Sequence, residues 1–351
     1  MQVESFSFLF FLREVIMSST FRAPGTSGTF FNPLRRALVA SSFLFAGLAC
    51  AAGYPERPLT LVAPYPAGGA ADVLARLLAR KLEEQLGQPV VVENKPGAGT
   101  AIGAAAVANA KPDGYTLLVS SNSTFTLNPA LQAKLSYDPV KGFEPIGMVG
   151  SVALAVLAHP SVTASTVPQL VAAAKANPDK FLYGSFGNGT SSNFAGAMFN
   201  SATGLKMTHV PYKGSAPLMT DLIGGQIPLS FDTVVAAAPQ LKTGKIKVLA
   251  VTTAKRSALL PDVPTVAESG YPGFDMTAWL ALVAPRGLPA DVKARLDKAL
   301  ATTMASTDTQ DKMKAAGFEP GYRAIADWPG MVTADIARMK AIAERSQIKV
   351  D

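Results

Sequence analysis

Histidine, cysteine and charged side chains are scarce in this sequence. Its 351 residues include two histidines and one cysteine, and Asp, Glu, Lys and Arg make up 16% of the chain, against about 25% in average soluble proteins. One cysteine cannot form a disulfide within the chain, and so few Cys and His residues exclude the usual zinc sites. The 48% hydrophobic content predicts a globular protein with a large core.

The basic residues are dispersed along the chain. There are 32 Lys and Arg residues against 25 Asp and Glu residues, which gives a net charge of +7. The densest basic stretch contains only Lys242, Lys245 and Lys247. Dispersed positive charge favours solubility, so no nucleic-acid partner is expected.

The beginning of the chain has the pattern of an export signal. Arg35 and Arg36 precede an apolar run over residues 37–49, and a small-residue cleavage motif ends at Ala51. The apolar run is too short to cross a bilayer as a helix, which takes about 20 residues. We predict that residues 1–52 are a signal peptide and leader, cleaved near Ala51.

This segment leaves three alternatives open. Translation can start at Met1 or at Met17, because the aromatic stretch before Met17 is unusual ahead of a signal. Cys50 can carry a lipid, although Gly47 stands where a lipoprotein signal has a Leu-like residue. The apolar run can also remain as an uncleaved anchor.

From residue 59 onward, short apolar runs alternate with Ala-rich helical patterns, which predicts a parallel α/β architecture. Strands are predicted at Leu59–Ala63, Pro89–Glu93, Tyr115–Ser120, Ile146–Leu157, Phe181–Ser185, Thr208–Val210, Pro228–Phe231, Lys247–Thr252 and Met276–Ala284. Helices are predicted at Ala71–Leu86, Ile102–Ala110, Val167–Ala176, Asn193–Ala202, Pro217–Ile223, Val234–Leu241, Ala290–Ala305, Thr309–Ala316 and Asp327–Ser346. After Pro289 the pattern predicts helices only.

The mature chain has no low-complexity linker, which a simple tandem of two domains would show. We therefore predict a discontinuous arrangement. Residues 54–155 and 277–351 form the first domain, and residues 156–276 form the second. A cleft between them would collect the loops and helix N-termini at the strand ends.

Three glycine-rich loops each connect a predicted strand to a predicted helix. In Pro64–Asp72, glycines let the backbone approach a ligand and the helix start supplies unpaired N–H groups, which predicts an anion site. Alternatively, this loop is a tight turn in which Asp72 complements the helix dipole and pairs with Arg76. The Asn94–Gly103 loop lacks the spacing of a dinucleotide fingerprint. The third loop is Gly184–Asn193.

No catalytic set of residues is recognisable. His159 and His209 fall at strand positions that favour structural roles, and no nucleophile elbow or S-x-x-K pair occupies a strand-to-helix turn. No cofactor, metal or catalytic residue is expected. The export signal, two lobes and several anion-binding helix starts favour a receptor for small anions. A secreted hydrolase that uses the cleft is the alternative from another class.

Nine motifs occur in a fixed order over most of the chain. They are Tyr54–Pro58, Pro64–Asp72, Val92–Gly99, Pro112–Leu118, Leu135–Pro139, Gly187–Thr190, His209–Ser215, Gly224–Gln226 and Leu260–Thr265. In these motifs the sequence resembles the Bug family of extracytoplasmic solute receptors, the binding components of tripartite tricarboxylate transporters.

The resemblance implies a two-lobed periplasmic-binding-protein fold of type II, the Venus-flytrap architecture, that closes around a ligand carboxylate. Two loops, Tyr65–Asp72 and Ser185–Asn193, would act as pincers, and further residues would line the cleft. The ligand-binding residues implied in this way are Tyr65, Pro66, Ala67, Gly68, Gly69, Asp72, Ser121, Asn122, Ser185, Gly189, Thr190, Ser192, Asn193 and Asp232.

The resemblance also implies a periplasmic location and the partners of the protein. The ligand would be a di- or tricarboxylate, an amino acid or an aromatic acid, and the membrane subunits of a tripartite tricarboxylate transporter would receive it. The receptor itself would be a monomer and not an enzyme. A sensor that presents its closed form to a signalling partner is the alternative within the same fold.

The sequence departs from the family pattern at one place. After Gly187–Thr190 the family usually continues Ser-His-Leu-x-x-Glu, whereas Asn193 and Ala197 replace the His and the Glu here. Asn193 keeps hydrogen-bonding capacity without a titratable group. The identity of the carboxylate therefore stays open.

Overall fold

The computed structural model describes residues 53–132 and 134–348. Ten strands in this part of the chain are β1 Leu59–Ala63, β2 Val90–Asn94, β3 Thr116–Ser121, β4 Phe143–Ala158, β5 Leu182–Ser185, β6 Thr208–Pro211, β7 Leu229–Thr233, β8 Lys247–Val251, β9 Thr277–Pro285 and β10 Phe318–Arg323. The α-helices are α1 Ala70–Leu86, α2 Ala101–Ala108, α3 Asn128–Leu131, α4 Val167–Ala176, α5 Ser191–Thr203, α6 Ser215–Ile223, α7 Val234–Leu241, α8 Ala290–Ala305, α9 Thr307–Ala315 and α10 Trp328–Arg345.

The strands form one mixed sheet with the order β2-β1-β3-β9-β4-β7-β5-β6. β1 pairs in parallel with β2 and β3, and β5 pairs in parallel with β6 and β7. Between these two groups, β9 and β4 run antiparallel to their neighbours. The prediction of a parallel sheet is therefore wrong at its centre, because an apolar run indicates a buried strand but not its direction.

The long strand β4 connects the two parallel groups. Up to Ala153 it pairs with β9, and from Leu154 onward it pairs with β7. β8 pairs with the same second half of β4, and β10 pairs with the first half. Two register shifts lie in the first half, and Gly150 there has a φ of 143°, which an L side chain rarely adopts.

The prediction that only helices follow Pro289 is wrong, because strand β10 lies between α9 and α10. Phe318 is buried against β4, but the next five residues contain a proline and a glycine and are mostly exposed. The alternation is too short to be recognised as a strand. The hydroxyl-rich helical segment Ser123–Leu127 and the four-residue α3 are also absent from the predicted elements, because both are too short to show a helical period.

The core is built as the helical pattern predicts. On α1, Leu74, Leu78 and Leu82 are fully buried, and Leu59 and Leu61 of β1 belong to the same hydrophobic cluster. The helix ends where Gly87 adopts a left-handed conformation and its N–H bonds to the carbonyl of Glu83. This packing fixes α1 on the sheet and so fixes the position of its N-terminus.

The predicted signal peptide and leader over residues 1–52 lie outside the described residues. Among residues 53–132 and 134–348, no helix combines the length and the apolar character that crossing a membrane requires.

Candidate functional site

Four helices begin around one cleft. Each follows a strand of one of the parallel groups: α1 follows β1, α5 follows β5, α6 follows β6 and α7 follows β7. The cleft is lined by Ala70, Ser191 and Ser215, the first residues of three of these helices, and by Thr233, which precedes the fourth. A helix N-terminus carries unpaired N–H groups and a partial positive charge. The cleft is thus arranged to receive an anion.

Two of the four helix starts lack a side-chain cap within the described residues. Thr190 and Thr233 cap α5 and α7 through their side chains. In contrast, α1 and α6 begin after Gly69 and Gly214, and within the described residues no side chain caps either helix. A Cβ built on Gly69 would lie 3.8 Å from the Cβ of Ser215, so these two helix starts face each other across the cleft.

Asp72 holds the loop that precedes α1. Its carboxylate accepts the backbone N–H of Gly68 at 3.0 Å and the side-chain amide of Asn94 at 3.0 Å, and it pairs with Arg76 at 2.9 Å. Burial alone would raise the pKa of Asp72, but the hydrogen bonds from Arg76, Gly68 and Asn94 outweigh it and lower the pKa. Asp72 makes the predicted pair with Arg76, and the contacts of its carboxylate shape the loop.

The third glycine-rich loop, Gly184–Asn193, is held in place through hydroxyl groups. The Thr190 hydroxyl donates to the carbonyl of Gly187 at 2.6 Å, and the Ser185 hydroxyl accepts the N–H of Gly187 at 3.2 Å. Ser192 accepts the N–H of Phe186 at 3.3 Å and also donates to a backbone carbonyl of β7. These contacts give the loop one defined conformation.

His209 lies behind this loop and contacts both of its ends. Its Nε2 is 2.6 Å from the Ser185 hydroxyl, and its Nδ1 is 3.3 Å from the Asn193 amide. Asn193 in turn accepts the N–H of Gly189 at 3.2 Å. The arrangement supports the structural role that the sequence favours for His209.

Asp232, at the end of β7, is the charged residue among the described residues that line the cleft. Its side chain is fully buried. One carboxylate oxygen accepts the Ser215 hydroxyl at 2.5 Å, and the other accepts the N–H of Thr233 at 2.7 Å. Burial raises the pKa of Asp232 to about 6, although these hydrogen bonds act in the opposite direction.

The remaining walls of the cleft are largely apolar. Val152, Ala278 and Leu280 come from the central strands, and Phe186 packs edge-on against Tyr65 with ring centroids 6.5 Å apart. The Tyr65 hydroxyl lies 2.7 Å from that of Ser121. The cavity inside the cleft has a volume of about 40 Å³.

Comparison with known proteins decides the family. The protein-family model described as "Tripartite tricarboxylate transporter family receptor" matches residues 74–348 of the chain. The chain belongs to this family. Its members are solute-binding receptors and not enzymes.

Three solved structures similar to the chain have the same fold. A protein of R. palustris solved with adipate has a TM-score of 0.81 and 35% identity, covering 84% of this chain and 99% of that one. The periplasmic binding protein BugD has a TM-score of 0.78 and 36% identity, covering 84% and 99%. MatC of Rhodopseudomonas palustris, with bound malate, has a TM-score of 0.77 and 32% identity, covering 82% of this chain and 99% of MatC. The predicted periplasmic-binding-protein fold and the resemblance to Bug receptors are confirmed.

The cleft of this tripartite tricarboxylate receptor contains part of the predicted site. Tyr65, Pro66, Gly69, Ser121 and Asp232 line it. The other nine predicted residues are absent from the lining: Ala67, Gly68, Asp72, Asn122, Ser185, Gly189, Thr190, Ser192 and Asn193. Most of these hold the two loops through the contacts described above, and Asn122 donates to the carbonyl of Thr277 at 3.1 Å. A ligand contact for these nine residues stays a prediction.

Several lining residues of the receptor were not predicted. Gly214 and Ser215 bring the start of α6 into the cleft, and Thr233 adds to its polar wall. Ser191 and Phe186 also line it and lie in the predicted loop Ser185–Asn193, although neither was named as a site residue. The signal for α6 was present, since a glycine followed by a helix start after a short strand is the same pattern that marked the first loop. Gly214 and Ser215 also belong to the His209–Ser215 motif.

The departure from the family pattern lies away from the cleft. Asn193 and Ala197 both line a separate groove that also contains His209, on α5. Neither residue is part of the cleft lining. The two replaced positions therefore lie outside the residues that line the cleft.

Proposed function

We propose that this receptor captures a small carboxylate in the cleft and presents it to the membrane subunits of a tripartite tricarboxylate transporter. The observation that carries the proposal is the convergence of four helix N-termini on one cleft, two of which have no side-chain cap among the described residues. N–H groups at helix starts bind carboxylates without a cationic side chain. Similarity to receptors solved with adipate and malate supports this ligand class.

The proposal includes export. The signal pattern over residues 1–52, with cleavage near Ala51, and membership of a family of periplasmic receptors support a periplasmic location. Cysteine is then absent from the mature chain, since Cys50 is removed. N-terminal sequencing of the protein recovered from the periplasm tests the cleavage site.

The proposal also includes two lobes that close on the ligand, residues 54–155 with 277–351 and residues 156–276. The change of β4 partner between Ala153 and Leu154 supports a crossing there. The cleft draws its lining from both sets, with Gly69 and Ser121 from the first and Ser215 and Asp232 from the second. Closure would bring the two uncapped helix starts onto one carboxylate.

A thermal-shift screen of the purified protein against carboxylic acids tests the binding function. A ligand at 100 times its Kd adds about 2.7 kcal/mol of stability. We expect at least one carboxylate to raise the melting temperature and the corresponding amide to leave it unchanged. A panel of di- and tricarboxylates, amino acids and aromatic acids that gives no shift would contradict the proposal.

A further inference from the structure

Asp232 brings a negative charge into a cleft that otherwise offers only dipoles to an anion. Oδ2 accepts the Ser215 hydroxyl, and Oδ1 accepts the N–H of Thr233 and, at 3.5 Å, its hydroxyl, which leaves capacity for a further hydrogen bond on Oδ2. No Lys, Arg or His occurs among the described residues that line the cleft. A buried carboxylate without a cationic partner favours a neighbour that brings a proton.

The elements packed against β7 do not supply that partner. On β4, Glu144 pairs with Arg286; on α6, Asp221 accepts the hydroxyl of Tyr212. β5 contributes Tyr183, which stacks on His209, and α5 and α7 contain no Asp, Glu, His, Lys, Arg or Tyr.

The opposite wall of the cleft adds no charge either. Tyr65 lines the cleft, and burial raises the pKa of its hydroxyl, so the phenol stays neutral. The carboxylate of Asp72 is turned to Arg76 and Asn94 and is not part of the lining. Asp232 is thus the group whose charge a ligand meets inside the cleft.

We propose that the ligand carries a proton on the polar group that meets Asp232. The acceptable ligand is then a carboxylate with a second group that donates a hydrogen bond: a hydroxyl, an ammonium, or a second carboxyl group that shares one proton with Asp232. This inference rests on the proposed binding of the first carboxylate at the helix starts. It makes Asp232 a residue that determines specificity.

The proton balance separates the three ligand types. A dicarboxylate dianion that binds to ionised Asp232 takes up one proton from solvent, and that proton lies between the two carboxyl groups. An ω-hydroxy acid or an ω-amino acid already has its donor and takes up none. The raised pKa of Asp232, about 6, makes the uptake accessible near neutral pH.

Titration calorimetry tests this with matched ligands of four, five and six carbons: the α,ω-dicarboxylate, the ω-hydroxy acid, the ω-amino acid and the unsubstituted fatty acid. Each is titrated at pH 6 and pH 8 in two buffers of different ionisation enthalpy. We expect one proton to be taken up per dicarboxylate at pH 8 and its affinity to fall about tenfold per pH unit above the pKa of Asp232. The ω-hydroxy acid should bind more tightly than the fatty acid and without proton uptake.

The same titrations are repeated with the variant Asp232→Asn. We expect it to remove the proton uptake and the pH dependence of dicarboxylate binding, and to weaken binding of the ω-amino acid at least tenfold. Asp221→Asn is the matched control, because Asp221 lies on α6 outside the cleft lining. It should behave like the unmodified protein in every titration.

Two results would overturn the inference while leaving the proposed function intact: dicarboxylate binding at pH 8 without proton uptake, or equal affinity for the fatty acid and the ω-hydroxy acid. If none of these ligands binds, and the wider carboxylate panel gives no thermal shift, the proposed function itself fails. Proton uptake is measured on the unmodified protein, so the test does not depend on the folding of the variant.

Discussion

At the residue scale, the most consequential side chain is Asp232, because its ionisation opposes folding. The folded state raises its pKa from 3.8 to about 6, so the folded chain holds this proton more tightly than the unfolded chain. Stability therefore falls as the pH rises from about 4 to about 6 and stays lower above that range. The buried carboxylate of Asp232 is therefore kept at a cost in stability.

Replacing Asp232 with Asn should accordingly stabilise the unliganded protein at pH 8. The gain is up to about 3 kcal/mol, from a shift of about two pKa units at 1.36 kcal/mol each, and it should vanish below pH 4. Urea unfolding at pH 8 and pH 4 measures it, with Asp221→Asn as control. If the Asp232→Asn protein is less stable than the unmodified one at pH 8, the hydrogen bonds of the Asp232 carboxylate stabilise the fold by more than its desolvation costs.

Gly69 offers a direct test of the uncapped helix starts. Its φ is −83°, and an added Cβ meets only ordinary contacts, so Gly69→Val should fold with a stability loss of about 1 kcal/mol. The valine methyl groups would occupy the space between α1 and α6. We expect carboxylate affinity to fall at least tenfold, about 1.4 kcal/mol, in calorimetry.

Gly321→Val provides the control for this substitution. Gly321 is exposed on β10, and a Cβ there would lie 3.8 Å from the nearest atom outside its neighbours, the Cα of Gly150. The control should bind normally. If Gly69→Val also binds the carboxylate normally, the N-terminus of α1 does not contact the ligand.

The sequence identifies the site through backbone features better than through side chains. Gly69 is predictable, because a glycine between a strand and a strong helix places N–H groups at a sheet edge. The difference between Asp72 and Asp232 is not predictable. Both precede or begin helices, yet one turns to Arg76 while the other lines the cleft. That choice depends on tertiary neighbours such as Asn94 and Ser215, which are distant along the chain.

At the element scale, the conformation of the loop between β1 and α1 depends on hydrogen bonds to the Asp72 carboxylate. Asp72 accepts from three groups, and the loop residue Gly68 has a φ of 86°. The lowered pKa of Asp72 means that its contribution to stability is present above about pH 4 and is lost as the pH falls through the folded-state value.

Removing this carboxylate should loosen the loop. In Asp72→Ala, the N–H of Gly68 and the amide of Asn94 lose their acceptor, which lowers stability by about 1–3 kcal/mol, and carboxylate affinity should fall with it. Denaturant unfolding and calorimetry measure the two effects. Asp308→Ala is the control, since Asp308 also lies in a first helical turn and pairs with lysines but is exposed. Equal effects of both substitutions would reduce Asp72 to a helix-dipole partner.

Most elements are predictable because their apolar period is regular. Leu59–Ala63, Val167–Ala176, Val234–Leu241 and Ala290–Ala305 have the predicted bounds. β10 and the antiparallel direction of β9 are not predictable from periodicity. Both depend on which strand the chain meets on its return to the sheet, and that partner, β4, lies more than a hundred residues earlier.

At the scale of the whole molecule, closure of the two proposed lobes is the motion that ligand binding should drive. A ligand shifts an equilibrium only by binding one form more tightly, and here the closed form would bring α1 and α6 onto the same carboxylate. We expect bending near Leu154–His159, where β4 changes partner and ends, and near Asp275–Trp279, where β9 begins.

Small-angle scattering should detect this closure. With a carboxylate confirmed by the thermal screen, we expect the radius of gyration to decrease toward roughly 19 Å, the value for a compact chain of about 300 residues, with unchanged circular dichroism. Amide exchange should slow at the two bending segments. A radius and exchange rates that do not respond to saturating ligand would indicate a rigid pocket.

The pairing of β4 with β9 also governs when the molecule can fold. About 120 residues separate the end of β4 from the start of β9, so at a synthesis rate of about 5–20 residues per second the central sheet stays open for roughly 6–24 s after β4 has been made. Contacts of such long sequence separation also form slowly. The proposed export would benefit from this delay if the chain is threaded unfolded through a translocation pore, because the central sheet cannot close before β9 has been made.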